Sequence, residues 1–213
     1  ALEEALRLKE QHGGEVVVCV AGPSRVSQVI REALARGADR AVHVQHDELA
    51  FADANVVASS LAHAMVSEQF DLVLTGLQSD DQGFGQTGVI LAERLGLPHA
   101  TIVMEVDAGG ADTIRVKREL EGGWFQWVRM PTPALLTIQS GINQLRYATL
   151  KGIMAAKKKE VRVVEIQELQ PAGQHIVHLY VPEKEKATRF VEGAPDAASR
   201  ELVRLLREEA RVL

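Results

Sequence analysis

EVVVCVAGPS, residues 15–24, is a valine-rich run that ends in a glycine–proline turn, and its neighbours decide the kind of sheet it joins. A short, continuous apolar strand is buried on both faces, which is the mark of a parallel sheet covered by helices. Ser24 stands at the N-cap position of a helix that carries Val26, Val29, Ile30, Ala33 and Leu34; Gly37 ends that helix, and a second strand follows over Ala41–Val44. The unit is β-α-β. Upstream, Ala1, Leu2, Ala5, Leu6 and Leu8 keep helical spacing up to the stop at Gly13-Gly14. A strand is expected ahead of that helix, and these residues do not contain it.

Downstream the alternation of strand and helix continues. An amphipathic helix is expected from about Ala50 to Phe70, then a buried strand over Asp71–Thr75 (DLVLT), a loop ending in Gly83-Phe84-Gly85-Gln86-Thr87-Gly88, and a helix over Val89–Leu95 closed by Gly96-Leu97-Pro98. From Thr101 the texture changes. Thr101–Val106, Ile114–Glu119 and Trp124–Met130 are separated by Gly109-Gly110 and Gly122-Gly123, which is hairpin grammar, and Ala134–Ile138 returns to the main sheet after Pro131-Thr132-Pro133. Tyr147–Lys159 is polar and ends basic; Glu165–Pro195 is irregular and reads as an arm. A last helix, capped by Asp196, carries Leu202, Val203, Leu205 and Leu206. The fold class is therefore α/β: a doubly wound, mainly parallel, Rossmann-like sheet with a β-hairpin insertion and a C-terminal arm.

Composition narrows the function. The 213 residues include 24 basic and 29 acidic side chains, interleaved, for a net charge of -5, so no broad cationic face is available to nucleic acid or anionic lipid. No run approaches ~18 uninterrupted apolar residues, so no membrane insertion is expected. A single cysteine, Cys19, excludes a disulfide framework and a cysteine-ligated metal, and points to a reducing compartment. Aromatic residues make up only 4%, leaving the core to Val, Leu, Ile and Ala.

Gly83, Gly85 and Gly88 match G-x-G-x-x-G between a strand and a helix, but the loop from Gly76 to Gln82 intervenes and the motif lies mid-chain, unlike a dinucleotide fingerprint. The residues suit a mononucleotide phosphate: glycines let backbone N–H groups approach, the helix start is electropositive, and Gln86 and Thr87 donate from the first turn. The other reading is a glycine-rich turn in which Thr87 only begins a helix. Asp80-Asp81 read as solvated acids, His175 and His178 as structural or solvated, and Lys157-Lys158-Lys159 as the solvated end of a segment. No nucleophile elbow or metal motif occurs, so no residue is assigned as catalytic.

VKRELEGG at 116–123 and MPTPALLT at 130–137 resemble the signature of the electron transfer flavoprotein beta subunit. ALARGADRAVHV at 33–44, SDDQGFGQTG at 79–88 and RYATLKGIMAAKKK at 146–159 agree with it, and the resemblance covers about residues 1–160. It implies an electron carrier without catalytic residues of its own, paired with an alpha subunit that holds most of the FAD, while this chain binds AMP structurally. Electrons would come from acyl-CoA or related dehydrogenases and leave to a quinone oxidoreductase, in the cytoplasm or a mitochondrial matrix. Carried across by position, the AMP site is Ala21, the loop Asp71–Asp81 with Thr75, Gly76, Gln78, Ser79, Asp80 and Asp81, and then Gly85, Gln86 and Thr87.

The resemblance also divides the chain into a nucleotide-binding domain, 1–160, and an arm with a terminal helix, 161–213, that packs on the partner subunit. The expected opening strand and an Asn-Pro loop would complete the AMP site and the flavin contacts. Bifurcating relatives replace AMP by a second FAD and carry an acidic-Gly-Asp-Thr pattern where this chain has Ser79-Asp80-Asp81-Gln82-Gly83, so AMP is the expected ligand. Leu150, with Tyr147, is implied to dock into the dehydrogenase; the pattern of the residues leaves open that Leu150 folds back onto its own domain. Two other functions share the fold. An adenine-nucleotide sensor of the universal stress protein type has no use for the segment 146–159, and a dehydrogenase would need an acid on a ribose, for which Glu105 or Asp107 is the only support.

Overall fold

The structure, a computed structural model, describes residues 1–110, 112–182 and 188–213. The elements are α1 (Leu2–His12), β1 (Val17–Gly22), α2 (Ser27–Arg36), β2 (Arg40–Gln45), α3 (Ala54–Met65), β3 (Leu72–Gly76), α4 (Thr87–Leu95), β4 (His99–Asp107), β5 (Thr113–Glu119), β6 (Phe125–Pro131), β7 (Ala134–Ile138), α5 (Leu150–Ala156), β8 (Val161–Glu165) and α6 (Pro195–Glu208). Among the described residues no helix is long and apolar enough to cross a membrane.

The strands form two blocks. In the first, β1, β2 and β8 run parallel in the order β1-β2-β8; in the second, β3, β7 and β4 run parallel and β4-β5-β6 continue antiparallel. The α/β class, the parallel core and the hairpin stand as expected. Among the described residues no ladder joins β1 to β3, so each of these strands is paired on one side only.

Side-chain alternation along β2 shows why the first block is wound on both faces. Ala41 joins Leu6, Ile30, Leu34 and Ala156 under α1, α2 and α5, while Val42 and Val44 face Leu49, Val56 and Ala64 on the α3 side. Strand β7 repeats the pattern: Leu135 packs with Val73, Leu91 and Ala92 beneath α3 and α4, and Ala134, Leu136 and Ile138 pack with Val103, Ile114 and Val116 on the other face.

Local chemistry moves several expected boundaries. Ser24 caps nothing; it lies inside a 3-10 turn, Ser24–Val26, whose Val26 N–H donates to the Pro23 carbonyl at 3.0 Å, and α2 begins only at Ser27. The helix expected over Ala50–Phe70 is interrupted by an aspartate. Asp53 Oδ1 accepts from Val56 N–H at 2.8 Å, which fixes the start of α3 at Ala54, and the helix ends at Met65. Asp196 lies in the first turn of α6, behind Pro195, and Ala194 holds the cap position.

Strand β8 lies beyond the expected boundary at 160 yet pairs with β2, and the first compact unit extends over Ala1–Ile176. The irregular stretch 165–195 includes residues 183–187, which lie outside the described residues. The second unit, Val177–Leu213, contains α6, which buries no side chain; within it Arg204 pairs with Glu201 and Glu208, and His178 stacks on Tyr180 with ring centroids 5.5 Å apart.

Candidate functional site

Parallel strands release their loops at one end, and here the carboxyl ends of β3 and β7 lie side by side, with Gly76 opposite Ile138 in the register. Beyond them opens a cavity of about 720 Å³. The loop after β3 supplies Gly76, Gln78, Ser79, Asp80 and Gly83; residues 138–143 and Leu145 form the facing wall, and the first turn of α1 closes the end. The volume falls in the roughly 300–1,000 Å³ range of small-ligand sites.

The loop is shaped by its own hydrogen bonds. Gly83 N–H donates to the Ser79 carbonyl at 3.0 Å and Gln78 Nε2 donates to the Gly83 carbonyl at 2.7 Å. Asp81 accepts from the Gln82 N–H at 2.8 Å and is held below the usual carboxylate range, first by the Ser79 hydroxyl and then by that N–H. Gly83 and Gly85 have φ of 70° and 62°, the left-handed region that glycine enters without strain. The chain then enters α4, which no side chain caps, so its first N–H groups face the loop.

Several implied ligand residues stand outside the cavity wall: Ala21, Thr75, Asp81, Gly85, Gln86 and Thr87. Ala21 is half-buried against the α3-side core. Thr75 lies beneath α4, where its buried Oγ1 has no hydrogen-bond partner among the described residues. Gly88 is a packing glycine, since a Cβ there would stand 2.5 Å from Thr75 Oγ1 and 2.7 Å from Thr137 Cγ2. His43, buried in β2, holds the end of β1 through Nε2 at 3.0 Å from the Gly22 carbonyl. Burial pushes the Cys19 thiol up to about 11, which keeps it protonated and unreactive at neutral pH.

The segment 146–159 is a second feature of the first unit. Thr149 Oγ1 accepts from Gly152 N–H at 3.0 Å and starts α5 at Leu150. Leu150 is 79% exposed and Tyr147 88% exposed, so Leu150 does not fold back onto its own domain. Ile153 and Met154, which sequence reading passed over, are exposed on the same helix face, and their signal was the i, i+3, i+4 spacing from Leu150. Two cations tie α5 to α2: Arg31 donates to the carbonyls of Ala156 and Lys159, at 2.7 and 3.1 Å, and Lys159 Nζ donates to the Leu34 carbonyl at 2.9 Å. Lys159 is thus a structural cap of α2 rather than a solvated end.

A parallel α/β core that opens a cleft at the carboxyl ends of its strands, beside a glycine-bearing loop that feeds an uncapped helix, defines a protein of the doubly wound α/β class. The electron transfer flavoprotein domain family matches residues 1–169. Relatives named electron transfer flavoprotein subunit beta occur in Methylophilus methylotrophus, 38% identical over 98% of this chain and 83% of that protein, and in Bacillus subtilis, 35% identical over 100% and 85%. The Bos taurus protein of the same name is 41% identical over 79% of this chain and 67% of its own length. The chain belongs to the electron transfer flavoprotein family.

Proposed function

We propose that this chain is the beta subunit of a heterodimeric electron transfer flavoprotein, an electron carrier that binds AMP structurally and shares an FAD held mainly by an alpha subunit. The observation that carries the AMP reading is the cavity at the ends of β3 and β7, with its glycine-rich passage into the uncapped N-terminus of α4. Its wall suits a nucleotide. Leu77, Ile138, Ile142 and Leu145 offer apolar surface, while Gln78, Ser79, Ser140 and Asn143 offer hydrogen bonds for a base or ribose. Gly85, Gln86 and Thr87 would hold the phosphate through backbone N–H groups and the Thr87 hydroxyl.

The FAD supplies the redox chemistry when bound. This chain's own part is to hold the nucleotide and to present the exposed stripe Leu150, Ile153 and Met154, with Tyr147, to an acyl-CoA or related dehydrogenase; a quinone oxidoreductase receives the electrons. Of the C-terminal segment, β8 belongs to the sheet of this chain, and the second unit, Val177–Leu213, is the part that packs on the alpha subunit. Its support is α6, a helix with Leu202, Leu205 and Leu206 and no buried side chain of its own. The compartment is the cytoplasm or a mitochondrial matrix. Co-expression with an alpha subunit tests the proposal: a yellow two-chain complex is expected, whereas a colourless homodimer holding ATP or AMP would mark a nucleotide sensor.

A further inference from the structure

Between Gln139 and Thr149 the chain forms no helix or strand, and among the described residues no backbone–backbone hydrogen bond fixes residues 140–148. Side chains of α1 do so instead. Arg146 donates from its backbone N–H to Glu3 Oε2 at 3.0 Å, from Nε to both Glu3 oxygens at 3.1 Å, and from Nη2 to Glu3 Oε1 at 2.8 Å. The same guanidinium reaches Glu10, about two turns further along α1, with Nη2 at 3.2 Å from Oε2 and Nη1 bonded to Oε1. A second tether lies three residues earlier, where Asn143 donates to the buried Glu4 and accepts from Arg7.

We infer that Arg146, clamped between Glu3 and Glu10, is a positioning residue for docking: it sets where Tyr147 and the stripe Leu150, Ile153 and Met154 stand, so that the docking surface is ordered before a partner arrives. The inference rests on the reading that this stripe docks a dehydrogenase. The side chain suits the task, because a guanidinium fork can serve two carboxylates at once and a lysine ammonium offers no such plane. Its bonds hold Glu3 and Glu10 below the usual carboxylate range, so the clamp stays charged at physiological pH. Partly exposed ion pairs contribute little to global stability, whereas an unordered loop must be ordered when it binds, so the clamp acts on docking more than on folding.

The test uses the two-chain flavoprotein with its bound AMP and FAD, with an acyl-CoA dehydrogenase as electron donor. Arg146→Met is expected to raise the KM for the flavoprotein as acceptor by roughly tenfold, with kcat unchanged, AMP and FAD contents full, and faster amide exchange over 140–149. Arg146→Lys should recover only part of that loss. Glu3 is 11% exposed in its side chain and so is shielded from a docking partner; Glu3→Gln should also raise KM, and the Glu3→Gln/Arg146→Met pair should add little to Arg146→Met alone. Glu10→Gln, on the exposed side of the clamp, gives a smaller rise and serves if Arg146→Met fails to assemble.

Unchanged KM in Arg146→Met, or in Glu10→Gln as its substitute, overturns the proposal whether or not exchange speeds up. A raised KM in Arg146→Met that Glu3→Gln does not share overturns it too, because Arg146 would then touch the partner directly. The docking reading fails separately: Leu150→Ala with wild-type KM removes the stripe from the interface, whatever Arg146→Met does.

Discussion

The Cβ that Gly152 lacks would stand 2.2 Å from the Ala35 carbonyl oxygen, so α5 approaches α2 as closely as a glycine allows. The seat of α5 on α2 is therefore a backbone-to-backbone contact that no side-chain shift can relieve. Gly152→Ala gains about 0.5–1 kcal/mol of helix propensity, but a methyl group driven into a carbonyl costs typically 1–3 kcal/mol. Denaturant unfolding should show a net loss; wild-type stability would mean that α5 does not sit on α2 in this way.

Leu150 makes the opposite prediction, because it is exposed and touches little of its own unit. Leu150→Ala should leave thermal stability within about 0.5 kcal/mol of wild type. Electron acceptance from the dehydrogenase should weaken by about 30-fold, the effect of losing an interface anchor of ~2 kcal/mol. A core-like loss of stability of about 2–5 kcal/mol would make Leu150 a packing residue.

How much of this was readable in advance varied with the range of the interactions. The strands 17–22, 40–45 and 72–76 were legible as short apolar runs, although only β2 is buried along most of its length while β1 and β3, each paired on one side, are half-buried, and the β4-β5-β6 meander was legible because glycine pairs mark its turns. The cap at Asp53 was not, since apolar spacing runs on through it and the competing signal is one carboxylate; that carboxylate also accepts from Gly173 and Gln174 N–H groups more than a hundred residues away. The role of Arg146 was not legible, because its partners Glu3 and Glu10 lie 143 and 136 residues away in the sequence and leave no local pattern. Of the implied site, Gly76, Gln78, Ser79 and Asp80 meet at the cavity, while the periodicity of β3 already turned Thr75 toward the helix side.

Cys19 ties stability to alkaline pH. Burial raises its thiol from an ordinary 9.0 to about 11 in the folded chain. Below the unfolded value both states are protonated and nothing is lost; between about 9 and about 11 the unfolded state alone releases the proton, so folding stability falls as pH rises, by ~2–3 kcal/mol in all. Unfolding curves at pH 8 and pH 11 measure it. Cys19→Ala should be less sensitive to that change than wild type, and equal slopes would contradict the buried thiol.

At Gly85 strain and ligand approach can be separated. A Cβ there meets only the Leu77 carbonyl at 3.6 Å and Gln78 Cβ at 4.0 Å, so the protein itself has room, but φ of 62° costs most side chains about 1–2 kcal/mol. Asparagine tolerates this region better than alanine does. If a phosphate lies against the backbone, Gly85→Ala and Gly85→Asn should both lower AMP content after refolding; full AMP in the asparagine variant would leave conformation as the only demand on Gly85.

The central claim is that this chain is an AMP-holding beta subunit, and the direct measurement is the identity and amount of nucleotide released on denaturing the purified two-chain complex, read by mass spectrometry beside its visible spectrum. The account predicts one AMP and one FAD per complex, with the chain alone retaining AMP and remaining colourless. Two FAD and no AMP per complex, or a flavin held tightly by this chain without a second polypeptide, would contradict it.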